Sequence, residues 1–272
     1  MLRPMPLVVL TGATSGIGRA AAAELMRRGA EVAVVGRDPE RVKETAGGVM
    51  HEHVADLSSL DEVRRLADEL LERYERIDVL ANNAGAMFSP RQVTVDGYER
   101  TLALNHLAPF LLTTLLLPRL RESRARVVST ASDEHVRGAL DLDNLQCEHS
   151  FKPMEAYGTS KLCNILFTRE LARRESQVTA TCFHPGMVRT RFGSELGGLW
   201  RPMLTAARPF MRSPAKGARS LVWLALSDEA SGLDGVYVEN EKVLAPSAAA
   251  RDDMVAAALW EASEELVNRR TH

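Results

Sequence analysis

Leu7-Val8-Val9-Leu10-Thr11-Gly12-Ala13-Thr14-Ser15-Gly16-Ile17-Gly18 sets an apolar run directly before a glycine-rich turn. The run suits a short strand buried on both faces of a parallel sheet. Three glycines let the backbone turn tightly and approach a ligand with no Cβ in the way. The stretch from Ile17 to Arg28 predicts a helix, with Ala20 to Ala23, Leu25 and Met26 as its apolar positions. The glycines would then lie at a helix N-terminus, where unpaired N–H groups and the helix dipole favour a pyrophosphate. The spacing is Gly-x-x-x-Gly-x-Gly, different from the Gly-x-Gly-x-x-Gly fingerprint. Taken alone, the loop is equally a tight strand-to-helix turn; the order strand, loop, helix favours the nucleotide.

Outward from this stretch, strand and helix signals alternate. Glu31 to Val35, Val49 to Val54, Val79 to Ala81, Val127 to Thr130, Val178 to Phe183 and Val236 to Val238 read as strands. Helical patterns lie between them, such as Leu60 to Tyr74 with Leu66, Leu70 and Leu71 toward a core. This βαβ alternation predicts a doubly wound parallel sheet with helices on both faces and a ligand at the strands' carboxyl ends. At 272 residues the chain is read as one domain, 1–272, with no internal repeat. The polar stretch from Asp133 to Glu155 is a long connection.

Tyr157-Gly158-Thr159-Ser160-Lys161 puts a phenol and an ammonium one helical turn apart. A free tyrosine, with a pKa near ~10, is a poor base at neutral pH. A cation about 4 Å away at an effective dielectric near 20 would favour the phenolate by ~4 kcal/mol, roughly three pKa units. An isolated Tyr-x-x-x-Lys is usually an amphipathic helix with an exposed lysine, so the motif needs its context.

With these two segments in place, the chain resembles the short-chain dehydrogenase/reductase family over nearly its whole length. The resemblance implies a Rossmann-type fold and assigns Gly12, Thr14, Ser15, Gly16, Ile17 and Gly18 to the cofactor. Asp56-Leu57 is similar to the adenine contact after the third strand, and Asn83-Ala84-Gly85, within Asn82-Asn83-Ala84-Gly85, to the turn after the fourth. Asn105, Ser132, Tyr157 and Lys161 match the catalytic tetrad. Pro185-Gly186-Met187-Val188-Arg189-Thr190 matches the segment beside the nicotinamide, implicating Pro185, Gly186, Val188 and Thr190. The resemblance further implies that Lys161 and Tyr157 contact the cofactor, that Ser132 holds the substrate oxygen, and that Asn105 holds a water linking Lys161 to solvent. Hydride would pass between nicotinamide C4 and the substrate carbon, from the pro-S face. Ser132 is preferred over Ser129 and Thr130 because Ala131-Ser132 aligns with the family's serine pair.

The Ser132-to-Tyr157 spacing is longer than the common pattern by about a dozen residues. With Leu104-Asn105-His106-Leu107-Ala108-Pro109-Phe110 and Leu259-Trp260-Glu261-Ala262-Ser263, it is similar to the branch containing retinol dehydrogenases and protochlorophyllide reductases. Cys163 stands where light-driven reductases carry a cysteine, although a buried small residue is the simpler reading. His106 and His135 follow Asn105 and Ser132 closely and would border the site without moving protons.

Cofactor choice turns on the end of the second strand, Val34-Val35-Gly36-Arg37. Gly36 occupies the place where NAD-binding relatives carry a carboxylate. The Arg37 guanidinium suits a 2′-phosphate through paired hydrogen bonds. Asp38 competes as a ribose ligand, but Asp38-Pro39-Glu40 reads as a helix start. Ser15 replaces the second basic residue common in NADP-specific relatives. NADP(H) is therefore expected over NAD(H).

A charged fraction of 26% and a formal net charge of −2 make no electrostatic case for nucleic acid. Cys147, Cys163 and Cys182 show no metal spacing, and His51-Glu52-His53 lacks a third ligand, so no metal is expected. Reduced thiols and a first strand beginning near Met1 point to a cytoplasmic protein without signal peptide or membrane anchor. The apolar stretch Leu107 to Leu117 is too short to span a bilayer and reads as a core or interface helix. Phe192, Leu196, Leu199, Trp200, Met203, Leu204, Phe210 and Met211 would form a substrate lid at about 190–213, favouring a lipophilic substrate. The expected activity is interconversion of an alcohol and a carbonyl on a small molecule, in a possible homo-oligomer. The alternative class is a non-catalytic NADP(H)-binding redox sensor, for which an intact tetrad would serve no purpose.

Overall fold

β1 (Leu7–Thr11) is buried along its whole length and pairs in parallel with β2 (Glu31–Gly36) on one side and β4 (Val79–Asn82) on the other. The computed structural model describes residues 5–188 and 211–269. Its eight strands run in the order β3-β2-β1-β4-β5-β6-β7-β8, with β3 (His51–Val54), β5 (Arg126–Thr130), β6 (Thr179–His184), β7 (Val236–Glu239) and β8 (Lys242–Leu244). The winding reverses between β1 and β4, which opens a crevice at their carboxyl ends. The expected doubly wound α/β domain is present.

Alternation along the strands feeds two cores. Val9 and Val35 face a layer containing Leu66, Leu116, Leu166 and Trp260. Val8, Leu10 and Val34 face the opposite layer, with Leu25, Phe183 and Leu221. The first layer is built by α3 (Leu60–Arg73), α4 (Arg100–Ser123), α5 (Pro153–Arg174) and α7 (Asp253–Asn268). The second is built by α1 (Gly16–Arg27), α2 (Pro39–Ala46) and α6 (Pro214–Leu226).

Three sequence expectations need correction. The sheet is parallel only as far as β7, because β8 returns antiparallel through Asn240 and Glu241, both at positive φ. Glu241 occupies a hairpin position usually given to glycine, so no turn signal announced the strand. The third strand begins at His51 and not at Val49. Gly47 ends α2 in the left-handed region, and the N–H groups of Val49 and Met50 both donate back to Ala46 O. The apolar helix also extends beyond Leu107 to Leu117. α4 is 24 residues long and apolar enough to cross a membrane, but 72% of its apolar window is buried inside the protein. It is a core helix.

Candidate active site

The turn after β1 is shaped by close approaches that only glycine permits. Gly12 and Gly16 have φ of +64° and +51°. A Cβ on Gly18 would lie 2.1 Å from Gly12 O, and one on Gly12 would lie 2.8 Å from Ala84 Cα. The β1 and β4 turns therefore touch. Thr11 Oγ1 accepts from the N–H groups of Asn83 and Ala84, while the Asn83 amide donates to Thr11 O at 3.0 Å. Asn83 thus serves the cradle through its side chain by holding the first turn in place. Ser15 caps α1 without a side-chain hydrogen bond, leaving first-turn N–H groups to a ligand. Thr11, Leu57 and Ala84 line one recess beside the two turns.

At the end of β2, a Cβ on Gly36 would stand 2.5 Å from the Thr14 methyl group. A carboxylate at this position would displace Thr14. Asp38 caps α2, accepting from Arg41 N, as its sequence context predicted. Burial raises the pKa of Asp56. Hydrogen bonds from the Ser58 N–H and hydroxyl, with the charges of Arg37 and Arg100, more than offset this and hold the carboxyl below its ordinary value. Arg37 and Asp56 therefore lie close in the same corner of the crevice.

Ser132, Tyr157, Lys161 and Asn105 converge from β5, α5 and α4. Tyr157 and Ser132 share a hydrogen bond between their hydroxyls. Lys161 Nζ lies 5.6 Å from the centre of the Tyr157 ring and donates to Thr130 O at 2.9 Å. The expected lowering of the phenol by a neighbouring ammonium is not found. Burial pushes the Tyr157 pKa up, the Ser132 hydrogen bond offsets part of the rise, and Asp133 and Glu134 add to it. Lys161 is buried too, and burial alone pushes its ammonium down to about 8. Tyr157 is consequently a protonated phenol at neutral pH.

Asn105 sits in a π-helical turn, Ala103–Leu107, inside α4. Its Oδ1 accepts from Ala86 N at 2.9 Å, and its Nδ2 donates to Ala86 O and Ser160 Oγ. A Cβ on Gly85 would meet Asn105 Oδ1 at 3.1 Å and Lys161 Nζ at 3.2 Å. Gly85 therefore joins the cradle to the proton-handling groups.

Two glycines to which the sequence assigned no role, Gly138 and Gly158, set the approach of Ser132 to Tyr157. A Cβ on Gly158 would lie 2.7 Å from Glu134 O, and one on Gly138 would lie 2.6 Å from Gly158 O. The long connection turns into a 3-10 helix at Asp133–Arg137, and glycine against glycine lets it settle on α5. Both glycines were visible in the sequence, but nothing local shows that they meet.

At the end of β6, Pro185 and Gly186 lead to Val188, which is packed with Ile17 against Gly217 of α6. Thr190, Trp200 and the expected lid as far as residue 210 lie outside the described residues. Met87 and Met154 pack against Tyr157 and give the site an apolar flank.

Other candidates fall away. His53 is tied to Glu69 and Tyr74, and among the described residues no cluster suits a metal. His106 points away from the site toward α7. His135 Nδ1 donates to Ser132 O and its Nε2 accepts from Ser247 N, linking the serine's turn to the C-terminal segment. Cys163 is fully buried, with its thiol pushed up to about 12, so it is a core residue. Ser129 Oγ is buried without a hydrogen-bond partner, whereas the Ser132 hydroxyl is the one beside Tyr157.

Residues 6–197 match the family described as short chain dehydrogenase. A protein of Streptomyces sp. (strain C5), provisionally named daunorubicin C-13 ketoreductase DnrU, is 44% identical, covering 97% of this chain and 93% of the relative. Retinol dehydrogenase 14 of Mus musculus is 40% identical over 96% of this chain and 85% of its own length. Among solved structures, the Pseudomonas aeruginosa RhlG/NADP active-site complex is 27% identical with a TM-score of 0.68, covering 86% of this chain and 93% of that one.

Proposed function

The chain belongs to the short-chain dehydrogenase family, in a retinol-dehydrogenase-like branch, and from that premise we propose that it reduces the carbonyl group of a lipophilic small molecule using NADPH. The enzyme is an NAD(P)(H)-dependent oxidoreductase, and the reaction is reversible in principle. The observation that carries the activity is the meeting of the Tyr157 and Ser132 hydroxyls beside Lys161 Nζ, 5.6 Å from the centre of the tyrosine ring, and the reducing direction is supported by the name of the ketoreductase relative.

The cradle fits a dinucleotide, since Gly12 and Gly18 leave no room for a side chain, Gly16 turns at positive φ, and α1 presents first-turn N–H groups with no side-chain cap. Gly12 to Gly18 would hold the pyrophosphate, Asp56 and Leu57 the adenosine side, and Asn83 to Gly85 the opposite wall. Gly85, Tyr157, Lys161, Pro185, Gly186, Val188 and Thr190 are assigned to the nicotinamide end. Bound cofactor supplies the hydride taken up by the substrate carbon. Arg37 supports NADP(H), because a guanidinium pairs with a 2′-phosphate and Thr14 leaves Gly36 no room for a competing carboxylate. The NADP named in the RhlG complex agrees with this choice.

Tyr157 donates its Oη proton to the substrate carbonyl oxygen, or accepts it in the reverse direction. Ser132 holds the same oxygen. Lys161, tethered to Thr130 O and pushed down to about 8, stays mostly protonated at neutral pH with its ammonium 5.6 Å from the centre of the Tyr157 ring. Asn105 fixes the Ala86 backbone beside them. Substrate lipophilicity is supported by Met87 and Met154 against Tyr157 and by the names of both relatives. The three cysteines are free thiols, which suits a reducing, cytoplasmic setting.

A panel of aldehydes and ketones graded in apolar size, assayed with NADPH and with NADH, tests the proposal. Oxidation of NADPH that is faster with bulky apolar carbonyls is expected. Tight nucleotide binding with no turnover of any carbonyl would overturn it in favour of a sensor.

A further inference from the structure

The π-helical turn in α4 carries two neighbouring side chains that look in opposite directions. Asn105 faces Ala86 and Ser160. His106 faces the C-terminal helix, with Nε2 2.8 Å from Ser263 Oγ. The Ser263 hydroxyl also reaches Leu259 O at 2.7 Å, and the Asn164 side chain stands beside the imidazole, so the ring is held between α7 and α5. His106 and Ser263 are both buried, and burial pushes the imidazole down to about 4, so it is neutral at physiological pH. The His106 ring packs at 6.1 Å from Phe110 and 6.4 Å from Phe167. Trp260 of α7 closes this cluster, stacked on Phe167 at 5.7 Å and edge-on to Phe110 at 5.0 Å.

A π-turn holds one residue more than an ordinary helical turn, is rare in proteins, and is frequent at functional sites. Nothing local in Ala103-Leu104-Asn105-His106-Leu107 demands it. We propose that His106 and Ser263 are positioning residues: through their hydrogen bond, the C-terminal helix holds the π-turn in register and aims Asn105 at Ala86. The catalytic consequence rests on the role given to Asn105 above. The mechanical link does not.

Ser263→Ala leaves the buried His106 Nε2 without its hydrogen-bond partner. Hydrogen exchange at the Ala86 amide, which donates to Asn105, should then speed up by about tenfold, the scale of one buried unsatisfied polar group. This readout is independent of turnover, and unchanged protection of Ala86 would overturn the proposal. In steady-state assays the same variant should lower kcat by about tenfold, with KM and NADPH Kd within about twofold. Introduced into an Asn105→Ala background, it should change kcat by less than about twofold. An undiminished loss in that background would refute transmission through Asn105. Should Ser263→Ala fail to fold, His106→Gln, which retains an N–H donor, is compared with His106→Leu. Equal kcat and equal Ala86 exchange in those two would also overturn the link. If Asn105→Ala itself leaves kcat unchanged while Ala86 responds to Ser263→Ala, the functional reading fails and the positioning link stands.

Discussion

Gly158→Ala sets two effects of opposite sign against each other. Alanine in a helix interior is better than glycine by about 0.5–1 kcal/mol. Here, however, the new Cβ would sit 2.7 Å from Glu134 O and 3.0 Å from Gly138 N. Both are backbone atoms, so no side chain can rotate aside. Relieving the contact moves the 3-10 turn outward by about half an ångström or more, since ordinary contacts begin near ~3.5 Å. Overpacking of this kind costs about 1–3 kcal/mol. At mid-range the clash wins, and the net loss of about 1.2 kcal/mol lowers Tm by roughly 2–5 °C for a domain this large. Ser132 moves with the turn, because its Oγ accepts from Glu134 N and its carbonyl from His135 N. A misplacement near 1 Å costs about 100-fold, so half of that should lower kcat by about tenfold while NADPH affinity stays unchanged. Differential scanning fluorimetry, fluorescence titration of NADPH and steady-state kinetics read the three quantities separately. A raised Tm with kcat within about twofold of wild type would refute the reasoning and leave Gly158 an accidental glycine.

Tyr157→Phe should reduce turnover by at least about 100-fold with NADPH Kd within a few fold, measured by titration and initial rates. Retention of more than about a tenth of the activity would remove Tyr157 from proton transfer. Arg37→Ala should weaken NADPH by about 10- to 100-fold and NADH by little, the range expected for a charge-assisted hydrogen bond. Equal losses would return Arg37 to a purely structural role. His106 provides a pH test of stability. Its folded pKa of about 4 lies below the ordinary 6.5, so the unfolded chain binds the extra proton first. Its stabilising contribution is complete above pH ~6.5 and declines as pH falls toward ~4, by about 2 kcal/mol between pH 6.5 and 5. Urea unfolding of wild type and His106→Gln across that window should show a shallower pH dependence for the variant, and identical slopes would count against the assignment.

Much of this enzyme was legible along the chain because local physics and the family's spacing agree. Leu7 to Thr11 is apolar throughout and becomes a strand buried on both faces. Asp38-Pro39 announces a helix start, and Asp38 caps that helix. Gly12, Gly16 and Gly18 mark a tight turn; in the fold Gly12 and Gly18 make approaches that no side chain could share, and Gly16 takes a positive φ. Tyr157 and Lys161 fall on one helix four residues apart, as their spacing requires. What the chain by itself could not reveal depends on groups distant in sequence. Lys161 turns its ammonium to Thr130 O, 31 residues away, so burial and not ion pairing governs the phenol. Gly138 and Gly158 acquire meaning only when the long connection folds back onto α5. His106 looks like an active-site neighbour in sequence, yet the π-turn sends it to Ser263, 157 residues further on. Short-range spacing fixes which face a side chain occupies, whereas desolvation and partner choice are set by whatever the rest of the fold brings against that face.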